Sequence, residues 1–223
     1  MIDFYAMGSP NVVKIYLALE EMGLEYNVRP IDVFGGAQFS DEFRKLNPNA
    51  KVPVIVDHDG PGGKPYTVFE SGAILIYLAE KTGKFLPKDG AARYDALQWM
   101  MVQMTGVGPM FGQYVHFVRF APKGNEYSLD RYRTQAKRVL ETLEGRLATT
   151  SWLGGAEYGV ADIATWPWAR LVPTLMGPDV AKDYPKLTEW VARIAERPAA
   201  QRTAKLTDEV RAKTTAFDKA QPD

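Results

Sequence analysis

Short apolar runs alternate with helical patterns over the first 80 residues, which is typical of an α/β unit. The apolar runs predict strands at 2–5, 26–31, 54–56 and 66–69. Apolar residues at helical spacing predict helices at 10–22, 41–46 and 71–81. The first helix is clearly delimited, because Pro10 lies in its first turn and Gly23 follows its last residue. The predicted order is βαβαββα.

The rest of the chain has only helical patterns. Helices are predicted from about residue 97 and at 127–147, 161–171 and 185–196. The first of them should bend or break at a cluster of glycines and a proline, namely Gly106, Gly108, Pro109 and Gly112. Beyond residue 205 the chain is charged and poor in apolar residues, which predicts a short final helix and a frayed tail.

A polar, turn-rich connector separates the two patterns and contains Gly83, Pro87 and Gly90. We therefore expect an N-terminal α/β domain at 1–82, a linker at 83–92 and an all-α domain at 93–223. A chain of 223 residues is long enough for two such cores.

The net charge favours a small-molecule or protein partner. Lys plus Arg equals Asp plus Glu at 27 each, so the whole chain exerts no electrostatic attraction on nucleic acid or an anionic membrane. No basic segment followed by an apolar stretch opens the chain, and no apolar run is long enough to span a bilayer. We expect a cytoplasmic protein without nucleic-acid or membrane partners.

The sequence has no cysteine, which excludes disulfides, thiolate metal ligands and a sulfur nucleophile supplied by the protein. Its two histidines, His58 and His116, lie far apart and lack neighbours at metal-ligand spacing. We therefore expect no metal, and any thiol chemistry must come from a ligand.

The segment NPNAKVPVIVD places Val52 and Pro53 at the start of a predicted strand. A proline here could simply begin an edge strand, because it has no N–H to donate. Alternatively, a cis Val52–Pro53 bond could turn the Val52 backbone outward to pair with a peptide-like ligand, as an added strand would. We predict the cis bond.

The segment FESGAILIYLAEKTG places Glu70 and Ser71 at the start of a predicted helix. Ser71 stands at the expected N-cap, and capping alone could explain it. A carboxylate beside a hydroxyl and unpaired helix N–H groups can also bind an amino-acid head group. Glu70 would then bind the ammonium, and the helix N-terminus would bind the carboxylate.

These two segments, with SPNVVKIYLALEEMGLEY before them and WLGGAEYGVADIATWPW after them, resemble glutathione transferases of the bacterial Nu class. That class includes glutathione-dependent disulfide-bond oxidoreductases. The resemblance runs from residue 1 to about 197. It implies a thioredoxin-like domain followed by a helical domain, a homodimer, and two glutathiones or one glutathione disulfide bound per subunit.

The resemblance also implies roles for individual residues. Glu70 and Ser71 hold the γ-glutamyl group, Val52 pairs with the cysteinyl backbone, and Gln38 with Lys51 approaches the glycyl end. Ser9 and Asn11 donate hydrogen bonds to the thiolate at the start of the first helix, where the helix N-terminus adds positive potential. Arg131 reaches toward a second glutathione, and Pro53 and Asp162 have structural roles.

Two positions depart from the family pattern. Ser9 stands where members of the resembled family carry Thr, and either residue supplies a hydroxyl donor. Gly159 stands three residues before Asp162, where many relatives have Ser or Thr in a capping box. Because Gly lacks a side-chain acceptor, we expect a slightly weaker helix start.

Two other functions remain open. Glutathione could be conjugated to an electrophile, with Tyr5 or Ser9 as the activating hydroxyl, or the chain could be a non-catalytic binding module. A cluster of apolar residues in the helical half should form mostly core, with one or two lining a pocket: Met100, Met101, Met104, Met110 and Phe111.

Overall fold

The structure is a computed structural model, and it describes residues 1–213. The described chain divides into two compact units, one formed by Met1–Lys84 with the residues from Arg197 onward, and the other by Phe85–Glu196. This grouping differs from the sequence-based division at 83–92, which assigned everything after the linker to the helical domain.

The first unit is built on a four-stranded mixed sheet. Its strands are β1 (Ile2–Ala6), β2 (Tyr26–Pro30), β3 (Val54–Asp57) and β4 (Tyr66–Phe69), in the spatial order β2-β1-β3-β4. β1 is parallel to β2 and antiparallel to β3, and β3 is antiparallel to β4. The helices of this part are α1 (Pro10–Met22), α2 (Asp41–Leu46) and α3 (Ser71–Thr82). The predicted βαβαββα order is confirmed.

Helices α1 and α3 pack against each other beside the sheet. Phe4 of β1 meets Tyr16 of α1 edge to face, with ring centroids 4.7 Å apart. The far end of α3 is held to β3 by Asp57, which accepts hydrogen bonds from Tyr77 (2.6 Å) and pairs with Lys81 (2.9 Å). Burial opposes ionisation of Asp57, but these donors hold its pKa below the usual value. These bonds fix the second half of α3 relative to β3.

The C-terminal helix α10 (Pro198–Arg211) packs against α1 and belongs to the first unit. Ion pairs join the two helices: Glu21 with Arg197, and Glu20 with Arg202. The helix starts earlier and runs longer than the expected short helix after residue 205. The expected frayed tail lies largely outside the described residues, which end at 213.

The second unit is helical. Its helices are α4 (Gly90–Val102), α5 (Gly108–Arg119), α6 (Glu126–Leu147), α7 (Val160–Ala169), α8 (Val172–Met176) and α9 (Pro185–Ala195). A π-helical segment, Gln103–Val107, joins α4 to α5 at the predicted glycine cluster, although Gly112 continues within α5. In the apolar cluster, Met100 and Phe111 are fully buried and Met101 is exposed.

Asp162 bonds to three separate segments in the core of the helical unit. Its carboxylate accepts hydrogen bonds from the N–H groups of Leu153 (2.9 Å) and Gly159 (3.0 Å), and from Trp190 Nε1 (2.8 Å). Burial raises the pKa of Asp162 to about 6, against the opposing effect of these donors. One carboxylate therefore joins the loop before α7, the start of α7, and α9.

Gly159 is required by a close approach rather than by capping. A Cβ at this position would lie 2.7 Å from the carbonyl oxygen of Phe85, which accepts the N–H of Val160 at 2.9 Å. The first amides of α7 therefore have acceptors without a side chain at residue 159. The slightly weaker helix start stays a prediction.

Candidate functional site

Strand register brings the loops of interest in the first unit to one edge of the sheet. Tyr5 pairs with Val54, and Val54 pairs with Phe69. Because β3 is antiparallel to β1 and β4, the end of β1, the start of β3 and the end of β4 lie side by side. β2 also ends here, since Ala6 pairs with Pro30. The segments at this edge are those that begin α1, precede β3, begin α3 and follow β2.

Ser9 and Asn11 lie at the start of α1. Ser9 is the N-cap, but its side chain does not cap the helix, and the N–H groups of Val12 and Val13 bond to its carbonyl oxygen instead. The first turn of α1 contains no acidic residue, so its positive potential is not neutralised locally. Ser9 and Asn11 are both half-buried, and they carry a hydroxyl and an amide at the positive end of this helix.

The loop before β3 is held by Asn47, a buried residue that the sequence reasoning missed. Its amide donates to the carbonyl of Lys51 at 2.7 Å, and its side-chain oxygen accepts the N–H of Asn49 at 2.9 Å. The loop ends in a cis Val52–Pro53 bond, as predicted. Lys51 is exposed, Val52 is half-buried and Pro53 is buried.

Glu70 and Ser71 begin α3, but the expected cap is wrong by one residue. Glu70 is the N-cap and Ser71 is the first helical residue, because the backbone of Glu70 leaves the helical region at φ 67° and ψ 119°. A positive φ at a non-glycine residue costs ~1–3 kcal/mol, and such strain is concentrated at functional sites. Glu70 is exposed and accepts a hydrogen bond from Asn49 at 3.3 Å.

Lys14 lies beneath Ser71 and was also missed. It is 1% exposed, and its Nζ donates to Ser71 Oγ at 3.2 Å. Burial lowers the pKa of Lys14 to about 7, while the charge of Glu70 acts in the opposite direction. The available signal was a single lysine within an apolar stretch, Val12–Leu19, that is buried throughout.

Gln38 has a buried polar atom without a partner. It lies in a short 3₁₀ turn, Ala37–Phe39, and is 7% exposed. Its Oε1 is buried and accepts no hydrogen bond from the described residues. Since such an atom costs ~1–3 kcal/mol when left unpaired, it marks a place where a ligand donor would be favoured.

Arg131 and Tyr5 are candidates that do not belong to the loops described above. Arg131 is exposed near the start of α6, in the helical unit. Tyr5 packs against Phe43 of α2, with ring centroids 6.1 Å apart. Since its neighbour Phe4 faces α1, alternation directs Tyr5 to the opposite face of the sheet. Tyr5 is therefore poorly placed to activate a sulfur at the start of α1.

Comparison with known proteins identifies the family. The model of the glutathione S-transferase N-terminal domain matches residues 8–81, and that of the C-terminal domain matches residues 99–198. The chain belongs to the glutathione transferase family. It is 46% identical over 200 residues to the disulfide-bond oxidoreductase YfcG of Escherichia coli, covering 89% of this chain and 92% of YfcG.

Solved structures of glutathione transferases have the same fold. A family member from Pseudomonas fluorescens, with two glutathiones bound, is 40% identical and has a TM-score of 0.86, covering 91% of each chain. A glutathione transferase from Pseudomonas putida, with one glutathione disulfide bound per subunit, is 41% identical. Its TM-score is also 0.86, with coverage of 92% of this chain and 91% of that one.

Residues 1–213 contain neither a membrane-spanning helix nor a cluster of metal ligands. None of their helices is long and apolar enough to cross a membrane. No three of their His, Cys, Asp or Glu side chains cluster in a way that could hold a metal ion.

Proposed function

We propose that this glutathione transferase is a glutathione-dependent disulfide-bond reductase of the Nu class, acting with two glutathiones or one glutathione disulfide per subunit. The observation that supports the glutathione site is that the segments of Ser9, Val52 and Glu70 meet at one edge of the sheet. In the segment that follows β2, the buried Gln38 Oε1 accepts no hydrogen bond from the described residues. The reductase assignment is supported by the 46% identity to the disulfide-bond oxidoreductase YfcG.

The reaction needs no sulfur from the protein, which has no cysteine. A bound glutathione thiolate attacks one sulfur of a substrate disulfide, forming a mixed disulfide and releasing the other half as a thiolate. A second glutathione thiolate attacks the glutathione sulfur of that mixed disulfide, forming glutathione disulfide and releasing the second half as a thiolate. Two glutathiones thus supply the two electrons, and both released thiolates take protons from solvent.

Each site residue serves one part of this reaction. Glu70 and Ser71 bind the γ-glutamyl head group, and Val52 pairs with the cysteinyl backbone. Gln38 Oε1 accepts the glycyl N–H, with Lys51 near the terminal carboxylate. Ser9 and Asn11 stabilise the thiolate at the positive end of α1, lowering a thiol pKa that is about 8.5 in solution. Arg131 contacts the second glutathione.

The choice of reaction can be tested with two substrates. We expect rapid glutathione-dependent reduction of hydroxyethyl disulfide and slow conjugation of chlorodinitrobenzene, because disulfide exchange requires only a thiolate formed near ambient pH. Tyr5 faces α2, so a tyrosine-activated conjugation is not supported. Rapid conjugation without disulfide reduction would favour the conjugating transferase, and binding of glutathione without either activity would favour a binding module.

Head-group binding can be tested by substitution. Glu70→Ala and Ser71→Ala should each weaken glutathione binding by ~1–3 kcal/mol, the effect of removing one charge-assisted hydrogen-bond partner. The rate at saturating glutathione should change less. Titration calorimetry measures the affinity, and Glu25→Ala is a matched control, because Glu25 is exposed beside Ile2 at the opposite edge of the sheet. Unchanged affinity in both site variants would exclude this assignment.

We also propose a cytoplasmic homodimer. Exposed aromatic and apolar side chains are available for self-association on each unit: Tyr66 and Phe69 on β4, and Tyr94 and Met101 on α4. A cytoplasmic location would match the reducing glutathione pool that this chemistry consumes. Light scattering that gives the mass of a single chain would exclude the dimer, and cell fractionation would test the location.

A further inference from the structure

The buried lysine of α1 is bonded to a residue of the proposed head-group site. Lys14 lies among apolar residues and is 1% exposed, yet a buried amine is costly unless it is paired. Its Nζ donates to Ser71 Oγ at 3.2 Å, and the charge of Glu70 acts on it favourably. Both of these residues belong to the proposed head-group site, so the charge is directed to the region that would receive the ligand.

The protonation state of Lys14 limits the directions in which the Ser71 hydroxyl can point. An ammonium can only donate, so Ser71 Oγ must accept, and its own proton is left for another acceptor. A neutral amine can instead accept the Ser71 proton, which turns the hydroxyl inward. Only the first arrangement offers a hydroxyl donor to a carboxylate at the start of α3.

We propose that Lys14 is a positioning residue for glutathione, whose ammonium directs the Ser71 hydroxyl proton toward the γ-glutamyl carboxylate and balances the charge of Glu70. This inference rests on the proposed glutathione site. Lys14 acts through Ser71 and does not itself touch the sulfur. It should therefore affect the binding of glutathione much more than the rate of the bound complex.

The first test compares Lys14→Met with Lys14→Arg. Met replaces the stem without the amine, whereas Arg keeps a charged donor. We expect Lys14→Met to weaken glutathione binding at least tenfold and to raise the KM for glutathione with kcat changed less than threefold, and Lys14→Arg to recover most of the affinity. Lys84→Met is the matched control, since Lys84 also donates within the first unit, to the carbonyl of Met22 at 3.0 Å. It should bind glutathione normally.

A combined variant separates positioning from packing. If Lys14 acts through Ser71, then Lys14→Met should weaken binding little further when added to Ser71→Ala. Additive losses would contradict the inference. Folding is checked by thermal unfolding: Lys14→Met should unfold at no lower temperature than the wild type, because it removes a buried amine. If Lys14→Met does not fold, glutathione affinity is compared between Lys14→Gln, which lacks the charge, and Lys14→Arg, which keeps it.

The pH dependence of binding gives an independent measurement. The pKa of Lys14 is lowered to about 7 by burial, with Glu70 opposing, and a bound carboxylate would raise it. Affinity should therefore be constant below pH 7 and fall as the pH rises above 7, since binding then requires proton uptake. With S-methylglutathione, which has no free thiol, the wild type should lose about tenfold more affinity than Lys14→Arg between pH 6.5 and 8.5.

Other charged groups lie on the elements that surround Lys14, and each has contacts with residues other than Lys14 and Ser71. On α1 and α10 the acidic residues Glu20 and Glu21 pair with Arg202 and Arg197, Glu209 acts on Tyr16, and Arg211 lies against Gly8. On β1, Asp3 is bonded to Arg29 and His58.

The outcomes distinguish this inference from the proposed function. If Glu70→Ala and Ser71→Ala weaken binding but Lys14→Met does not, the head-group site is correct and the role of Lys14 is wrong. If neither Glu70→Ala nor Ser71→Ala affects binding, the site itself is wrong, and the inference falls with it. Parallel pH profiles for the wild type and Lys14→Arg would also overturn the inference.

Discussion

Replacing Asn11 with Ala is expected to lower the rate of disulfide reduction about 10- to 1000-fold, the effect of losing one preorganised donor to a developing charge. The Asn11 amide lies in the first turn of α1, where no acidic side chain cancels the helix potential. Without that donor the glutathione thiol should be harder to ionise. The loss should therefore be greatest at neutral pH and smaller at pH 9, where solution chemistry supplies more thiolate.

The measurement is kcat for hydroxyethyl disulfide at saturating glutathione, over pH 6 to 9. Asn27→Ala provides the matched control, because Asn27 is an exposed amide in the same unit that donates to Asp3 at 3.3 Å. The control should keep full activity. A wild-type rate in Asn11→Ala, with normal glutathione binding, would show that the thiolate is stabilised elsewhere, with Ser9 as the next residue to test.

The order of elements in the first unit was predictable because turn chemistry and periodicity agree there. Pro10 and Gly23 delimit α1 at the residues observed, with Gly23 in the left-handed conformation at φ 71°. The start of α3 was displaced by one residue for a physical reason: Glu70 adopts a positive φ that Glu rarely takes, so sequence preference favoured Ser71 as the cap.

What escaped prediction depended on contacts distant in sequence. Lys14 and Ser71 are 57 residues apart, and no local sequence pattern predicts that a lysine in an apolar helix is bonded to a distant serine. Gly159 could not be explained from the local sequence either. A Cβ at this position would collide with the carbonyl oxygen of Phe85, which is distant in sequence. The length of α10 was underestimated because its buried face includes small residues such as Ala199, Ala200 and Thr203, which give a weak apolar pattern.

Asp162→Ala is expected to destabilise the helical unit by ~3–5 kcal/mol at neutral pH. The substitution leaves three buried donors without their acceptor: the N–H groups of Leu153 and Gly159 and the indole N–H of Trp190. Each unpaired buried donor costs ~1–3 kcal/mol, and part of that loss is recovered because a buried carboxylate is no longer desolvated. Urea unfolding followed by tryptophan fluorescence reports this unit directly, since all five tryptophans lie between residues 85 and 196.

The pH dependence of this loss has a definite sign. The pKa of Asp162 is raised from 3.8 to about 6 by burial, so its contribution to stability is complete below pH 4 and declines as the pH rises to 6. The difference in unfolding free energy between the wild type and Asp162→Ala should therefore be larger at pH 4.5 than at pH 7.5, by about 2 kcal/mol. Asp130→Ala, which removes an exposed carboxylate of α6 bonded to Arg133, should show neither the loss nor this pH dependence. A difference that grew with pH would mean that the three N–H donors outweigh burial and stabilise the carboxylate.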